Sequence, residues 1–191
     1  MASNIRLGAA MTGSFCTFAK AIPVIEVLAE AYDVIPIMSE FASSTDTRFG
    51  RAAEHIERLE NACRRRVVNS IAAAEPIGPK ALLDALLILP CTGNTLGKLA
   101  NGVTDTCVTM AAKAALRNGA PVIIGVSTND ALSASAKNIG LLLNVKNVFF
   151  IPFAQDDPVG KPTSLVCDFS MARSAIEAAL EGRQLQPLLA R

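Results

Sequence analysis

Apolar and polar positions alternate along this chain in two rhythms. Short apolar runs suited to buried strands recur at Ile5 to Ala10, Val34 to Met38, Leu82 to Leu89 and Val122 to Val126, with Val148 to Ile151 as the last. Asp84 places the first residues of the third run in a turn. Between the runs, apolar residues return at helical spacing. Phe15 to Ala31 reads as a helix to which Pro23 is the objection, because an interior proline costs about 3 kcal/mol. Either the helix kinks there, or a new one starts with Pro23 in its first turn.

A second helix, over roughly Gly50 to Val67, presents Ala53, Ile56, Leu59, Ala62/Cys63 and Val67 on one face, and AEPIGPK after it reads as a loop. Val108, Ala111, Ala112 and Ala115 mark a helix stopped by Gly119 and Pro121. Leu132, Ala136, Ile139 and Leu143 mark another, and Met171 to Leu180 a final one closed by Gly182. Strand and helix alternation throughout implies a parallel sheet covered on both faces. The expected architecture is α/β, a three-layer Rossmann-like (flavodoxin-like) sheet. At 191 residues, with no internal repeat, the chain is expected to form a single domain over 1–191.

Composition narrows the partners. Hydrophobic residues make up 51% and mean hydropathy is +0.36, yet Asp84, Lys137 and Lys146 interrupt the apolar runs before any reaches spanning length. The expectation is a soluble chain that is not membrane-bound, with apolar surface covered in a homo-oligomer. MASNIRLGAAM shows no signal-peptide pattern, so none is expected. Net charge is +1, from 18 basic against 17 acidic residues, which leaves no electrostatic footprint for nucleic acid. Arg64, Arg65 and Arg66 form a basic cluster that closes the helix carrying Glu54, Glu57 and Glu60, so they read as a solvated helix end. The 5 cysteines (Cys16, Cys63, Cys91, Cys107 and Cys167) are odd in number and lack a CxxC pair. That pattern fits reduced cytoplasmic thiols rather than a disulfide framework or a zinc site.

Ligands of such sheets sit at the carboxyl ends of the strands. Small polar residues crowd those ends here: MTGS (Met11 to Ser14), Ser39, CTGNT (Cys91 to Thr95) and STND (Ser127 to Asp130). Gly13 permits a positive φ or a close backbone approach, and Ser14, Thr92 and Thr95 place hydroxyls near helix starts, where free N–H groups attract phosphate. A phosphorylated planar cofactor suits this set. Structural alternatives stand beside it: Gly13 as a turn glycine, Asn94 or Thr95 as a helix cap. The first loop, GAAMTG, is not the GxGxxG of a dinucleotide site, although Glu40 after the second strand keeps a ribose-binding acid in play.

The run PCTGNTLGKLANGVTD (Pro90 to Asp105), with MTGS and Ser39, resembles the flavoprotein family of FMN-dependent cysteine decarboxylases and prenylated-flavin synthases, over most of the chain. EPIGPK (Glu75 to Lys80), VSTND and PFAQDDPVGKPTSLVCD (Pro152 to Asp168) narrow the resemblance to the group of dipicolinate synthase B subunits from spore-forming bacteria. The resemblance implies that Thr92, Gly93, Asn94 and Thr95 wrap a flavin phosphate and ribityl chain, with Gly13, Ser14, Phe15 and Ser39 completing the pocket. Ser127 stands where the prenyltransferase relatives place an arginine on the phosphate. STNDALSASAKN replaces the decarboxylases' substrate-clamping Pro, Met and Asn, and their catalytic histidine lacks a counterpart, since His55 lies in the Glu-rich helix away from any strand end.

The resemblance implies one subunit of an oxidoreductase that works in sporulation. With a partner A subunit that carries NAD(P), it oxidises dihydrodipicolinate to dipicolinate, and FMN is the expected cofactor of this chain. The alternatives are a stand-alone FMN-dependent decarboxylase or prenyltransferase-like enzyme, and a non-catalytic partner subunit. The substrate is a small dianion, so cations are expected to face it, and Arg48, Lys98 and Lys161 are the candidates.

Overall fold

The computed structural model describes residues 5–189. Its sheet has 7 strands. Strands β1 (Arg6–Met11), β2 (Asp33–Met38), β3 (Ala85–Cys91), β4 (Val122–Thr128) and β5 (Val148–Phe150) run parallel in the order β2-β1-β3-β4, with β5 beside the first half of β4. The chain leaves β1 toward β2 and leaves β3 toward β4, in opposite directions. Right-handed crossovers therefore set helices α1 (Phe18–Ala31) and α6 (Cys107–Arg117) on opposite faces. β3 lies at the centre, buried along its whole length, with Leu86, Leu87, Ile88 and Leu89 all at 0% exposure. Each such side chain contributes about 1.5–3 kcal/mol of burial. Asp84 sits just before that strand, as its charge foretold, and its carboxylate accepts two bonds from the Arg6 guanidinium and one from the Arg6 amide.

Several expectations need correction. Val148 to Ile151 is not the last strand: β6 (Phe153–Ala154) and β7 (Leu165–Cys167) follow, and β7 pairs antiparallel with the end of β4 through Ser127 and Thr128. Two- and three-residue strands are too short to show an alternation in sequence. Pro23 does not start a helix; α1 runs through it after a single 3-10 turn at Phe15–Thr17. AEPIGPK is not wholly loop, because α4 (Ile71–Ala74) and a 3-10 turn at Glu75–Ile77 occupy its start. Leu132 lies in turns ahead of α7 (Ala136–Leu143). Helix α2 (Glu40–Ser44) follows β2, α5 (Gly93–Ala100) follows β3, and α8 (Ala172–Leu180) closes the chain.

Helix α3 spans Ala52–Cys63, shorter than expected, and its buried face keeps Leu59 and Cys63 but takes Ala52 and His55 in place of Ala53 and Ile56. The pattern misleads because a histidine reads as polar. His55 is 8% exposed and meets the edge of Phe18 with ring centroids 5.1 Å apart, while its Nε2 lacks a hydrogen-bond partner. Arg64 to Arg66 lie just past the helix end, where Arg65 pairs with Asp33 and Arg66 with Glu60. Burial holds the His55 imidazole below its ordinary value of 6.5, aided by Arg58 and opposed by Glu54. The unfolded chain therefore takes up a proton that the folded one refuses, and this contribution to stability, present above the ordinary value, is lost as pH falls below it. We expect His55→Leu to flatten that dependence, so that thermal melts at pH 7 and pH 5 show the variant gaining on the wild type toward acid. A constant difference between the two proteins would sink the assignment.

Candidate functional site

The carboxyl ends of β1 and β3 mark the place where strand order reverses, and one threonine stitches them together. Thr12, 1% exposed, donates its hydroxyl to the Pro90 carbonyl at 2.9 Å and accepts the Thr92 amide at 3.0 Å. Thr92 is the N-cap of α5, accepting the Thr95 amide at 3.4 Å. The capping residue is thus Thr92, not Asn94 or Thr95. The first amides of α5, at Gly93 and Asn94, have no intrahelical acceptor, as at any helix start, and they offer donors to an anion.

Gly93 is not among the residues lining the two cavities at this edge, and its importance is the missing side chain. A Cβ there would stand 2.6 Å from both Asp130 Oδ1 and Ser135 Oγ, and 2.9 Å from Thr128 Oγ1. Those atoms are not free to retreat. Thr128 donates to Asp130 Oδ1 at 2.6 Å and Ser135 to Oδ2 at 3.0 Å, so the loop after β4 is braced internally where it faces Gly93. Gly13 plays the same part after β1, where a Cβ would lie 2.9 Å from Phe41 Cδ1. Phe41 is 62% exposed and forms an edge-on pair with Phe15, centroids 5.5 Å apart.

Two cavities open on this edge and share Gly13 and Thr92 as a common wall. The larger, about 630 Å³, is lined by Ser39, Phe41, Asn94, Thr95 and Lys98, together with Thr12, Glu40, Ile71, Asp105 and Thr106. That volume lies in the usual range for small-molecule sites. Ser39 caps α2, and Glu40 beside it accepts the Cys107 amide at 3.1 Å, capping α6. The Glu40 carboxylate is thereby committed to a helix start, which weighs against a ribose role. The smaller cavity, about 330 Å³, is lined by Ser14, Phe15, Cys16, Ser127, Asn129 and Lys161 among others. Ser127, 3% exposed, shares a 2.8 Å hydrogen bond with Ser14 and lies 3.3 Å from the Thr17 hydroxyl.

The predicted cations part company. Lys98 lines the larger cavity and pairs with Asp105 at 2.8 Å, and Lys161 lines the smaller one and pairs with Asp156 at 3.2 Å. Arg48 lines neither; its guanidinium stacks 4.8 Å over Phe49. Burial pushes the thiols of Cys107 and Cys167 up to about 12, and that of Cys91 upward too, so these three are inert at neutral pH. All 5 cysteines are free, and no histidine lines either cavity among the described residues. Sequence reasoning missed Thr12, Phe41, Asn129 and Asp156 as lining residues. Thr12 sits inside MTGS, so its hydroxyl at a strand end was a usable signal; Phe41 had none.

These groups form a hydroxyl- and amide-rich cradle beside an aromatic pair, which suits a phosphate ester joined to a planar ring. The model of the Flavoprotein family matches residues 1–179. The B subunit of dipicolinate synthase from Bacillus subtilis (strain 168) is 47% identical over 185 residues, 96% of this chain and 92% of that protein. The crystal structure of the dipicolinate synthase B subunit from Bacillus halodurans C superposes with a TM-score of 0.91 at 44% identity, covering 100% of this chain and 99% of that one. The FMN-dependent cysteine decarboxylase SpaF shares the fold, with a TM-score of 0.66 at 24% identity over 93% of this chain and 95% of its own.

Proposed function

The chain belongs to the Flavoprotein family, and from that premise we propose that it is the B subunit of a dipicolinate synthase. In this reading it works in the cytoplasm with a nicotinamide-binding A subunit during sporulation, oxidises dihydrodipicolinate to dipicolinate, and holds FMN in the larger cavity. The observation that carries the pairing with a synthase is identity of 47% across nearly the whole of both chains. The cofactor assignment rests on the cradle. Gly13 keeps the backbone close, Ser39, Thr92 and Thr95 supply hydroxyls, the start of α5 supplies amides, and Phe41 offers a flat apolar wall.

When bound, the flavin would supply an acceptor for a hydride. The chain's own part is to hold the reacting rings, keep water away and take a proton. Oxidation of the dihydro ring releases one hydrogen with its electron pair and one as a proton. Among the described residues lining the two cavities, the carboxylates not committed to a helix start, and so able to accept that proton, are Asp105 and Asp156. Phe41 and Ile71 at the larger cavity and Phe49 at the smaller are exposed, which supports a homo-oligomer that covers them. Among the described residues, no helix is long and apolar enough to cross a membrane.

The test is an absorbance spectrum of the purified chain after exhaustive dialysis, with and without added FMN, joined to an assay of dipicolinate formation in the presence and absence of the partner. Flavin bands that persist, and activity that needs both proteins, are expected. A colourless chain that restores full activity to its partner would overturn the flavin half and leave a non-catalytic role. Turnover without the partner would overturn the two-component reading.

A further inference from the structure

We propose that the smaller cavity is a separate seat for a carboxylate of the ring substrate, with Lys161 and Ser14 as the donors; this rests on the proposed synthase reading for the identity of the ring. The first observation is position. Gly13 and Thr92 wall both cavities, so a ligand in the smaller one lies next to whatever fills the larger. At about 330 Å³ it is near the lower end of small-molecule sites, suited to a single ring with its substituents rather than a mononucleotide.

The second observation is a chain of hydroxyls with a spare proton. Thr17 donates to the Ser14 carbonyl at 2.8 Å, which commits its hydrogen. Ser127 is buried and lies 2.8 Å from Ser14 Oγ and 3.3 Å from Thr17 Oγ1, so its hydrogen has an acceptor either way. When Ser127 donates to Ser14, the half-buried Ser14 is free to turn its own hydrogen into the cavity. An anion arriving there gains a donor polarised from behind, and no buried hydroxyl is left unpaired.

The third is the cation. An ammonium carries three donors, and the contact of Lys161 Nζ with Asp156 Oδ2 at 3.2 Å uses one of them. Asp156 is anchored from the other side by Ser164, 2.5 Å from Oδ1. Burial works to raise the Asp156 carboxyl, but the hydrogen bonds from Ser164 and Lys161 outweigh it and leave it below the ordinary carboxylate range. The pair thus holds Lys161 over the cavity, charge-compensated until a carboxylate arrives. The opposing charge of Asp156 gives the assignment a sign: removing Lys161 should weaken binding of a dianion, and removing the charge of Asp156 should strengthen it.

The experiment is calorimetric titration of the flavin-loaded protein with pyridine-2,6-dicarboxylate in metal-free buffer, using wild type, Lys161→Ala and Asp156→Asn, with bound flavin counted in each sample. Both positions lie on an exposed loop, so the variants are expected to fold. Lys161→Ala should weaken binding about tenfold or more, as loss of a charge-assisted hydrogen bond does, with flavin retained, and Asp156→Asn should tighten it. No binding to the wild type, unchanged affinity in Lys161→Ala, or equal weakening in both variants would overturn the seat. Dicarboxylate binding that disappears together with flavin would overturn it as a separate seat. A flavin-free protein that still binds the dicarboxylate through Lys161 supports the seat and overturns the flavin assignment, and retained flavin without dicarboxylate binding does the reverse.

Discussion

Gly93→Ala is expected to melt roughly 4–8 °C below the wild type and to lose flavin on dialysis, although it adds a single methyl group. The added carbon would fall 2.6 Å from Asp130 Oδ1 and Ser135 Oγ, well inside contact distance. Both atoms are held by the same carboxylate network, so relief requires breaking the bond from Ser135 or from Thr128, or shifting the start of α5. Overpacking of this kind costs on the order of 2 kcal/mol, which is about 4–8 °C for a chain of this size. A shift of α5 would also displace Asn94 and Thr95, which line the larger cavity. Differential scanning calorimetry checks the first effect and absorbance after dialysis the second. The double variant Gly93→Ala with Asp130→Ala should recover part of the stability, because the clash and the network go together. Melting of Gly93→Ala at the wild-type temperature would show that the loop after β4 is not braced as described.

Asn94→Trp should separate the cavity from the fold. Asn94 is exposed and lines the larger cavity, so an indole there occupies ligand space without disturbing the core. Stability is expected to stay within about 0.5 kcal/mol of wild type, as for most surface substitutions. Flavin affinity is expected to fall at least about tenfold, equivalent to 1.4 kcal/mol. Asn94→Ala, which leaves the space open, should retain much more flavin than the tryptophan variant. Equal flavin content in wild type and Asn94→Trp would place the cofactor elsewhere, or remove it from this chain.

The order of the main strands and helices, the burial of β3 and the clustering of small polar residues at strand ends were legible in the chain itself. Short apolar runs separated by helical periodicity admit few other arrangements, and Gly119 and Gly182 stand just beyond α6 and α8 with φ of +78° and +73°, as their positions foretold. Three of the misses share one cause: they involve residues whose role depends on a partner far away in sequence. The inner place of His55 comes from packing on Phe18, the capping role of Glu40 from the amide of Cys107, and the strand character of Leu165–Cys167 from pairing with Ser127 and Thr128.

The candidate site divides along the same line. Local chemistry already marked Gly13, Ser14, Ser39 and Thr92 to Thr95, because a glycine or hydroxyl at a strand end has its meaning within a few residues. Which of them share a cavity, and that Gly13 and Thr92 wall two of them, became visible only once the sheet brought together loops separated by 78 to 113 residues. Likewise Lys98, Lys161 and Arg48 were equal candidates as cations. Folding pairs the first with Asp105 and the second with Asp156, and stacks the third on Phe49, a wall of the smaller cavity that Arg48 itself does not line. Residue type sets what a side chain can bind, but the distance to its partners, which only the packed chain establishes, sets what it is free to bind.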